Sequence, residues 1–162
     1  MGLRVRVVEE GELLGSAGTL LANQDWISSE EMFWVFYADV LHKDDLGAMC
    51  KFHQAKSPPA TIGVYCVPDP SRCGIVDVDE QGTVVEFVEK PAHPIGNLAF
   101  SGIMIATPRF LEAIPSKHPV DIGFDVLPQL TGRMLAYKIS EYLIDIGTLE
   151  NYNLAQTTWS AS

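Results

Sequence analysis

Two apolar runs that each end in an aspartate organise the hydrophobic pattern of the chain. The first, at 34–39, reads Trp-Val-Phe-Tyr-Ala-Asp, and the second, at 142–148, reads Tyr-Leu-Ile-Asp-Ile-Gly-Thr. A continuous aromatic and β-branched run is typical of a strand buried on both faces of a mostly parallel sheet. Because ligands bind at the carboxyl ends of such strands, the pattern predicts that Asp39 and Asp145 meet at one site.

The rest of the pattern alternates strands with helices. Helices are predicted at 17–26, 44–56, 107–114, 121–130 and 149–158, and further strands at 3–8, 61–67, 99–106 and 134–139. The segments 74–78 and 83–89 predict a β-hairpin in which Gly82 supplies the positive φ. This order predicts an α/β three-layer fold with a mixed, mostly parallel sheet, in a single domain over residues 1–162.

Composition and charge narrow the range of ligands. The 11 basic and 21 acidic side chains give a net charge of −10. This charge disfavours the binding of nucleic acid, because proteins hold its phosphates mainly with Lys and Arg. No run approaches the roughly 18 apolar residues of a membrane span, and no signal peptide is recognisable. We therefore expect a cytoplasmic protein without a membrane partner.

Seven short motifs follow one another over nearly the whole chain. They are Leu-Gly-Ser-Ala-Gly-Thr-Leu at 14–20, Tyr-Ala-Asp at 37–39, Cys-Gly-Ile-Val at 73–76, Phe-Val-Glu-Lys-Pro at 87–91, Asn-Leu-Ala-Phe-Ser-Gly-Ile at 97–103, Asp-Ile-Gly-Thr at 145–148, and Tyr152. In wording, order and spacing the chain resembles the sugar-phosphate nucleotidyltransferases, most closely the mannose-1-phosphate guanylyltransferase and heptose-1-phosphate nucleotidyltransferase group. The resemblance implies their Rossmann-like nucleotidyltransferase fold.

The resemblance also implies roles for individual residues. Asp39 and Asp145 match the pair that holds Mg²⁺ between nucleotide and sugar phosphates. Glu89 matches the acceptor of hydrogen bonds from sugar hydroxyls, and Lys90 matches the lysine that faces the sugar phosphate, so Asp39, Asp145 and Lys90 are the expected catalytic residues. The remaining matches are substrate-binding positions on the sugar side and near the base: Gly74, Asn97, Gly102 and Gly18.

The reaction implied by the resemblance explains these residue types. An oxygen of a sugar 1-phosphate attacks the α-phosphorus of a nucleoside triphosphate and pyrophosphate leaves, so two anions must come together. Mg²⁺, held by one or two carboxylates, and a lysine acting as a point charge both reduce the repulsion between them. The implied ligands are therefore a sugar 1-phosphate or a nucleotide sugar.

One feature of the family has no counterpart in the sequence. Family members begin with a strand and a glycine-rich loop, Gly-Gly-x-Gly-Thr-Arg-Leu, which wraps the triphosphate and supplies an arginine. No segment of this chain matches it. We therefore expect an N-terminally truncated domain, the C-terminal two-thirds of the family fold, that is inactive alone. An exposed sheet edge beside residues 34–39 is expected, with a homodimer or a partner chain that supplies the missing part.

Two other kinds of function remain open at this point. One is a non-catalytic module that senses a sugar nucleotide through the same residues. The other is a structural or protein-interaction module whose motifs only maintain the fold. Ligand binding that depends on Asp39 or Asp145 is expected of the transferase-like domain and of the sensing module, but not of the structural module.

Overall fold

The computed structural model of the chain describes residues 5–159. Its main sheet has six strands: β1 (Phe33–Phe36), β3 (Ala60–Cys66), β4 (Gly74–Val78), β5 (Val84–Glu89), β6 (Leu98–Ala106) and β7 (Leu135–Lys138). Two short strands, β2 (Val40–His42) and β8 (Leu143–Asp145), form a separate antiparallel ribbon. The ribbon carries the two predicted site aspartates, so its position decides the site.

Residues 5–159 contain four α-helices and four other helical segments besides the strands. The α-helices are α1 (Ser16–Ala22), α2 (Gln24–Ile27), α3 (Leu46–Lys56) and α4 (Leu149–Thr158). The 3₁₀ segments are Pro70–Arg72, Pro108–Ala113 and Leu127–Leu130, and Ile122–Val126 is a π-helical turn. Within residues 5–159 every helix is too short or too polar to cross a lipid bilayer.

The strand β6 is the centre of the main sheet. Along one edge it pairs antiparallel with β3, from Ala106 opposite Ala60 to Leu98 opposite Cys66. Along the other edge of β6, β1 pairs with the carboxyl-terminal end of β6 and β4 pairs near its start. Seven of its nine residues are buried, as expected for a strand covered on both faces.

The mixed α/β class is confirmed, but the expected mostly parallel sheet is wrong. Only β3 and β7 pair in parallel, while all other strand pairs are antiparallel. The apolar run that suggested a doubly buried parallel strand forms β1, which is half-exposed and antiparallel to β6. Trp34 stacks on Phe36, and Phe36 on His42, with centroids 5.4 and 6.0 Å apart. Ring stacking at the surface thus shields part of this run.

Buried side chains lie on both faces of the sheet, which gives the predicted three layers. Ile62 and Val64 of β3 point into the larger core, together with Ala17 of α1. Thr61 points to the opposite face because side chains alternate along a strand. There its Oγ1 lies 2.9 Å from Nδ1 of His53 on α3.

Several predicted element boundaries are confirmed by the structure. The helix predicted at 44–56 ends at Lys56 as expected but starts at Leu46, after Asp45, whose carboxylate accepts hydrogen bonds from the Gly47 and Ala48 amides at 2.8 and 3.2 Å. The 74–89 hairpin forms, with a φ of +80° at Gly82. The last helix is capped by Thr148, whose Oγ1 accepts the Asn151 amide at 3.2 Å.

Four predicted elements need correction, and one of them, the helix predicted at 107–114, is the 3₁₀ segment Pro108–Ala113. Residues 5–8 are exposed and form no strand, and the start of that predicted strand lies outside the described residues. The helix predicted at 17–26 is divided into α1 and α2 at Asn23. The helix predicted at 121–130 is a π-helical turn followed by a 3₁₀ segment, since Pro128 has no N–H to continue an α-helix.

His53 gives the fold a measurable pH dependence. Burial, and next the charge of Arg109, lower its pKa from 6.5 to about 4, so the unfolded chain takes up this proton at a higher pH than the folded chain. As pH falls from about 6.5 to about 4, the free energy of unfolding should decrease, by up to about 1.4 kcal/mol per pH unit for one proton. Urea unfolding across this range measures the slope.

The matched control for this prediction is His53→Asn, which keeps a polar atom near Thr61 but cannot take up the proton. Carboxylates titrate in both proteins, so the difference between their slopes isolates His53. Equal slopes in the two proteins would contradict the prediction.

Candidate functional site

Asp39 and Asp145 approach each other because the β2–β8 ribbon joins their segments. Val40 lies opposite Asp145, and the Ile146 amide donates a hydrogen bond to the Asp39 carbonyl oxygen at 2.7 Å. The two carboxylates converge on Gly147, where an added Cβ would lie 2.9 Å from Asp145 Oδ1 and 3.2 Å from Asp39 Oδ2. The structure thus brings together two residues that are far apart in the sequence.

The two aspartates line a cavity of about 280 Å³, which we call the crevice. Six of the eight predicted site residues line it: Asp39, Gly74, Glu89, Lys90, Gly102 and Asp145. Gly18 does not line it, being buried in α1 with its amide directed at the Val120 carbonyl oxygen, 3.3 Å away. Asn97 is exposed, and its carbonyl accepts the Val67 amide. The functional roles of all eight residues stay predictions.

The Glu89 carboxylate is seated between two glycines. Gly74 lies opposite Glu89 in the β4–β5 hairpin, and a Cβ on Gly74 would lie 2.6 Å from Glu89 Oε2. A Cβ on Gly123 would lie 2.4 Å from the same oxygen. Both distances are too short for a real contact, so the position of this carboxylate requires glycine on each side.

Lys90 enters the crevice from an unusual backbone conformation. Its φ is +48°, a left-handed value that costs a lysine on the order of 1 kcal/mol. The Lys90 amide donates to the Cys73 carbonyl oxygen at 3.0 Å, which fixes the turn. Its Nζ lies 5.8 Å from the centre of the half-exposed Phe124 ring, within cation–π range. The turn therefore places a positive charge at the crevice.

The crevice contains more carboxylates than cations. Asp39, Glu89, Asp121 and Asp145 line it, against Lys90 and Arg72. Burial raises the pKa of Glu89, Lys90 lowers it, and Asp121 raises it further. Burial raises the pKa values of Tyr37 and Tyr65 to about 12, so these phenols stay neutral. A phosphate in this crevice would need an additional cation.

The carboxylate pair suits Mg²⁺ in particular. Mg²⁺ is bound in proteins through one or two carboxylates, while waters and substrate phosphates complete its shell. Across residues 5–159 no cluster of three or more His, Cys, Asp or Glu side chains forms a self-sufficient metal cage. A pair of carboxylates is therefore compatible with a divalent cation such as Mg²⁺ whose remaining ligands come from outside the chain.

Two charged residues of the crevice were missed as site candidates from the sequence. Arg72 directly precedes the 73–76 motif, and this adjacency was the signal that could have found it. Asp121 is the first residue of the helix predicted at 121–130, and its place in the crevice was not predicted. Its Oδ2 accepts a hydrogen bond from Ser16 Oγ at 2.9 Å, and its Oδ1 accepts the Phe124 amide at 2.9 Å. Ser16 and Asp121 are 105 residues apart in the sequence, so no local pattern predicts their contact.

Opposite changes in the Glu89 pKa should follow from replacing its two charged neighbours. Asp121→Asn removes a negative charge and should lower the Glu89 pKa, whereas Lys90→Met removes a positive charge and should raise it. Carboxyl ¹³C NMR titration measures both shifts. A shift in the same direction in both variants would contradict this electrostatic description.

Comparison with known proteins adds independent evidence. The nucleotidyl transferase family profile matches residues 1–161. The mannose-1-phosphate guanylyltransferase catalytic subunit beta of Drosophila melanogaster is 32% identical over 155 residues, covering 94% of this chain and 42% of that protein. A glucose-1-phosphate adenylyltransferase of Clostridioides difficile is 32% identical over 162 residues, covering 91% of this chain and 40% of that protein.

The chain is also similar in fold to a protein of known structure. The crystal structure of HddC from Yersinia pseudotuberculosis has a TM-score of 0.76 and 26% identity, covering 93% of this chain and 65% of that chain. The chain thus spans less than half the length of these two curated relatives. The resemblance to sugar-phosphate nucleotidyltransferases is confirmed, and because the family profile matches almost the entire sequence, this chain belongs to the nucleotidyl transferase family.

Proposed function

We propose that this chain forms the sugar-phosphate and metal-binding half of a sugar-1-phosphate nucleotidyltransferase site. The observation that carries the proposal is the convergence of Asp39 and Asp145 on Gly147, in the crevice that Glu89 and Lys90 also line. The parent reaction joins a sugar 1-phosphate to a nucleoside triphosphate and releases pyrophosphate. Relatives named for mannose 1-phosphate and glucose 1-phosphate support this ligand class.

In this proposal Asp39 and Asp145 hold Mg²⁺. When bound there, the ion would neutralise phosphate charge and polarise phosphoryl oxygens. The excess of carboxylates in the crevice supports the assignment, since an unaccompanied phosphate would be repelled. Because the chain supplies only two ligands, metal binding is expected to be strong only when a phosphate ligand is present.

The other residues of the crevice bind and orient the sugar phosphate. Lys90 and Arg72 supply positive charge for the phosphate, Lys90 from its fixed turn. The Glu89 carboxylate accepts hydrogen bonds from two sugar hydroxyls. Asp121 offers further acceptor oxygens beside it, in a position held by the Ser16 hydroxyl. Together these groups distinguish a sugar phosphate from a bare phosphate.

The chain alone is proposed to be a poor transferase. Its sequence contains no Gly-Gly pair and so no Gly-Gly-x-Gly-Thr-Arg-Leu loop. A triphosphate would therefore lack the cradle of backbone N–H groups and the arginine that such a loop supplies. A non-catalytic module that binds a sugar nucleotide is the second candidate, and the same missing loop favours it.

We further infer that another chain, a second copy or a protein with the nucleotide-binding loop, pairs with the outer edge of β1. The Tyr37 amide donates to the Gly102 carbonyl oxygen of β6, so the backbone groups of Trp34 and Phe36 point away from β6. No strand among residues 5–159 pairs with that edge. An added strand would use these groups.

The cytoplasm is the proposed location. Cys50, Cys66 and Cys73 are all free thiols in the described chain, which suits a reducing compartment.

Binding of a nucleotide sugar should depend on Asp145. Calorimetric titration with GDP-mannose and Mg²⁺ is expected to show saturable binding that weakens about tenfold or more in Asp145→Asn, because a metal ligand is lost. Asp77→Asn, which changes an exposed aspartate of β4, is the matched control and should bind normally. Equal affinity in the Asp145 and Asp77 variants would overturn the metal assignment, and no binding to the folded chain would favour a purely structural role.

The purified chain should produce no measurable pyrophosphate from GTP and mannose 1-phosphate. The physical reason is the missing triphosphate cradle. A coupled pyrophosphate assay tests this, with Asp145→Asn prepared in parallel. Turnover present in the unaltered chain and absent from the variant would disprove inactivity, whereas turnover equal in both preparations would reveal a contaminating enzyme.

A further inference from the structure

A second pocket lies at the end of the sheet opposite the crevice. It has a volume of about 370 Å³ and is lined by Pro59, Arg109, Glu112, Ala113 and Arg133, and we call it the arginine pocket. Three segments meet there: the residue before β3, the 3₁₀ segment after β6, and the turn before β7.

The register of the main sheet separates the two cavities. Ala60 at the start of β3 lies opposite Ala106 at the end of β6, and both are next to the arginine pocket. The crevice lies towards the other ends of these strands, since Tyr65 of β3 and Phe100 and Ser101 of β6 line it. A ligand in one cavity therefore does not touch the other.

The charges of the arginine pocket are unusual for this acidic chain. Two guanidinium groups face one carboxylate, that of Glu112, whereas the whole chain carries a net charge of −10. Within residues 5–159 the one salt bridge joins Lys117 to Asp125. Neither Arg109 nor Arg133 is therefore neutralised by a bonded carboxylate in the described chain.

Both arginines are exposed, and each makes one hydrogen bond to a backbone carbonyl oxygen. An Nη2 group of Arg109 donates to the Ser57 carbonyl oxygen, and Nη2 of Arg133 donates to the Gln129 carbonyl oxygen at 2.9 Å. A guanidinium group has five N–H donors, so one such bond leaves others for a ligand. Anchoring also reduces the entropy that binding would cost. The positive charge of Arg109 is felt inside the protein, where it contributes to the lowered pKa of His53.

We propose that Arg109 and Arg133 form a binding site for the phosphate group of a small hydroxylated metabolite, separate from the nucleotidyltransferase crevice. The planar guanidinium fork matches phosphate oxygens, and two forks on one pocket suit a dianion. The volume is within the usual range for small-molecule sites, roughly 300–1,000 Å³, and exceeds the needs of phosphate alone. Glu112 is placed to accept hydrogen bonds from hydroxyl groups of such a ligand.

The experiment is an amide NMR titration of the full chain with glycerol 3-phosphate, in buffer with EDTA. Excluding divalent metal keeps phosphate out of the carboxylate-rich crevice. Saturable shifts are expected at residues 109–113 and 133. The dissociation constant should rise about tenfold or more in Arg133→Gln and in Arg109→Gln, because charge-assisted hydrogen bonds are lost. Arg133→Lys, which keeps the charge but loses the fork, should bind with intermediate affinity.

Two controls separate this site from general charge effects and from the crevice. Lys138→Gln removes one positive charge from an exposed position on β7, and Asp145→Asn alters the crevice; both should leave the titration unchanged. Unsaturable shifts, shifts confined to the crevice, or equal weakening in Lys138→Gln would overturn the proposal. Equally strong binding of succinate would overturn the assignment to phosphate. Urea unfolding of each variant shows whether it is folded. If Arg109→Gln does not fold, the affinity of Arg133→Gln alone tests the proposal.

Discussion

The candidate site depends on the antiparallel pairing of two three-residue strands, β2 and β8. This ribbon aligns Val40 with Asp145, and the Ile146 amide then binds the Asp39 carbonyl oxygen. A two-stranded ribbon of this length has little stability of its own in water. Here Val40 and Leu143 pack on the smaller core beneath α3, so the position of both aspartates depends on that core.

Close approach to the backbone is the second constraint on the site. The Glu89 carboxylate fits only because Gly74 and Gly123 have no side chains, and the Asp39 and Asp145 carboxylates fit beside Gly147 for the same reason. Three acidic groups are thus brought into a small volume, and within residues 5–159 none of them forms a salt bridge with a basic side chain. The cost of that arrangement is reduced when a cation binds, which is why an acidic crevice and a phosphate substrate are physically compatible.

The sequence predicted what local patterns encode. The hydrophobic pattern identified β3, β6, α3 and α4 to within two residues at each end, and Gly82 marked the hairpin turn. Pattern could not give strand direction, because a continuous apolar run reports burial and says nothing about which neighbour pairs with the strand. It also overestimated the burial of β1, where Phe36 is 45% exposed and is shielded by stacking. The ordered motifs, by contrast, anticipated six residues of the crevice, while Arg72 and the long-range contact between Ser16 and Asp121 required the three-dimensional structure.

The central claim is that Asp39 and Asp145 form one divalent-cation site in the crevice, completed by a phosphate ligand. Mn²⁺ substituted for Mg²⁺ broadens the NMR signals of nearby amides, so its location can be read directly. With GDP-mannose present, the account predicts that the amide signals of Ile146 and Gly147 broaden first, and that Asp145→Asn abolishes this effect. Broadening centred on other acidic residues, or unchanged in the variant, would contradict it.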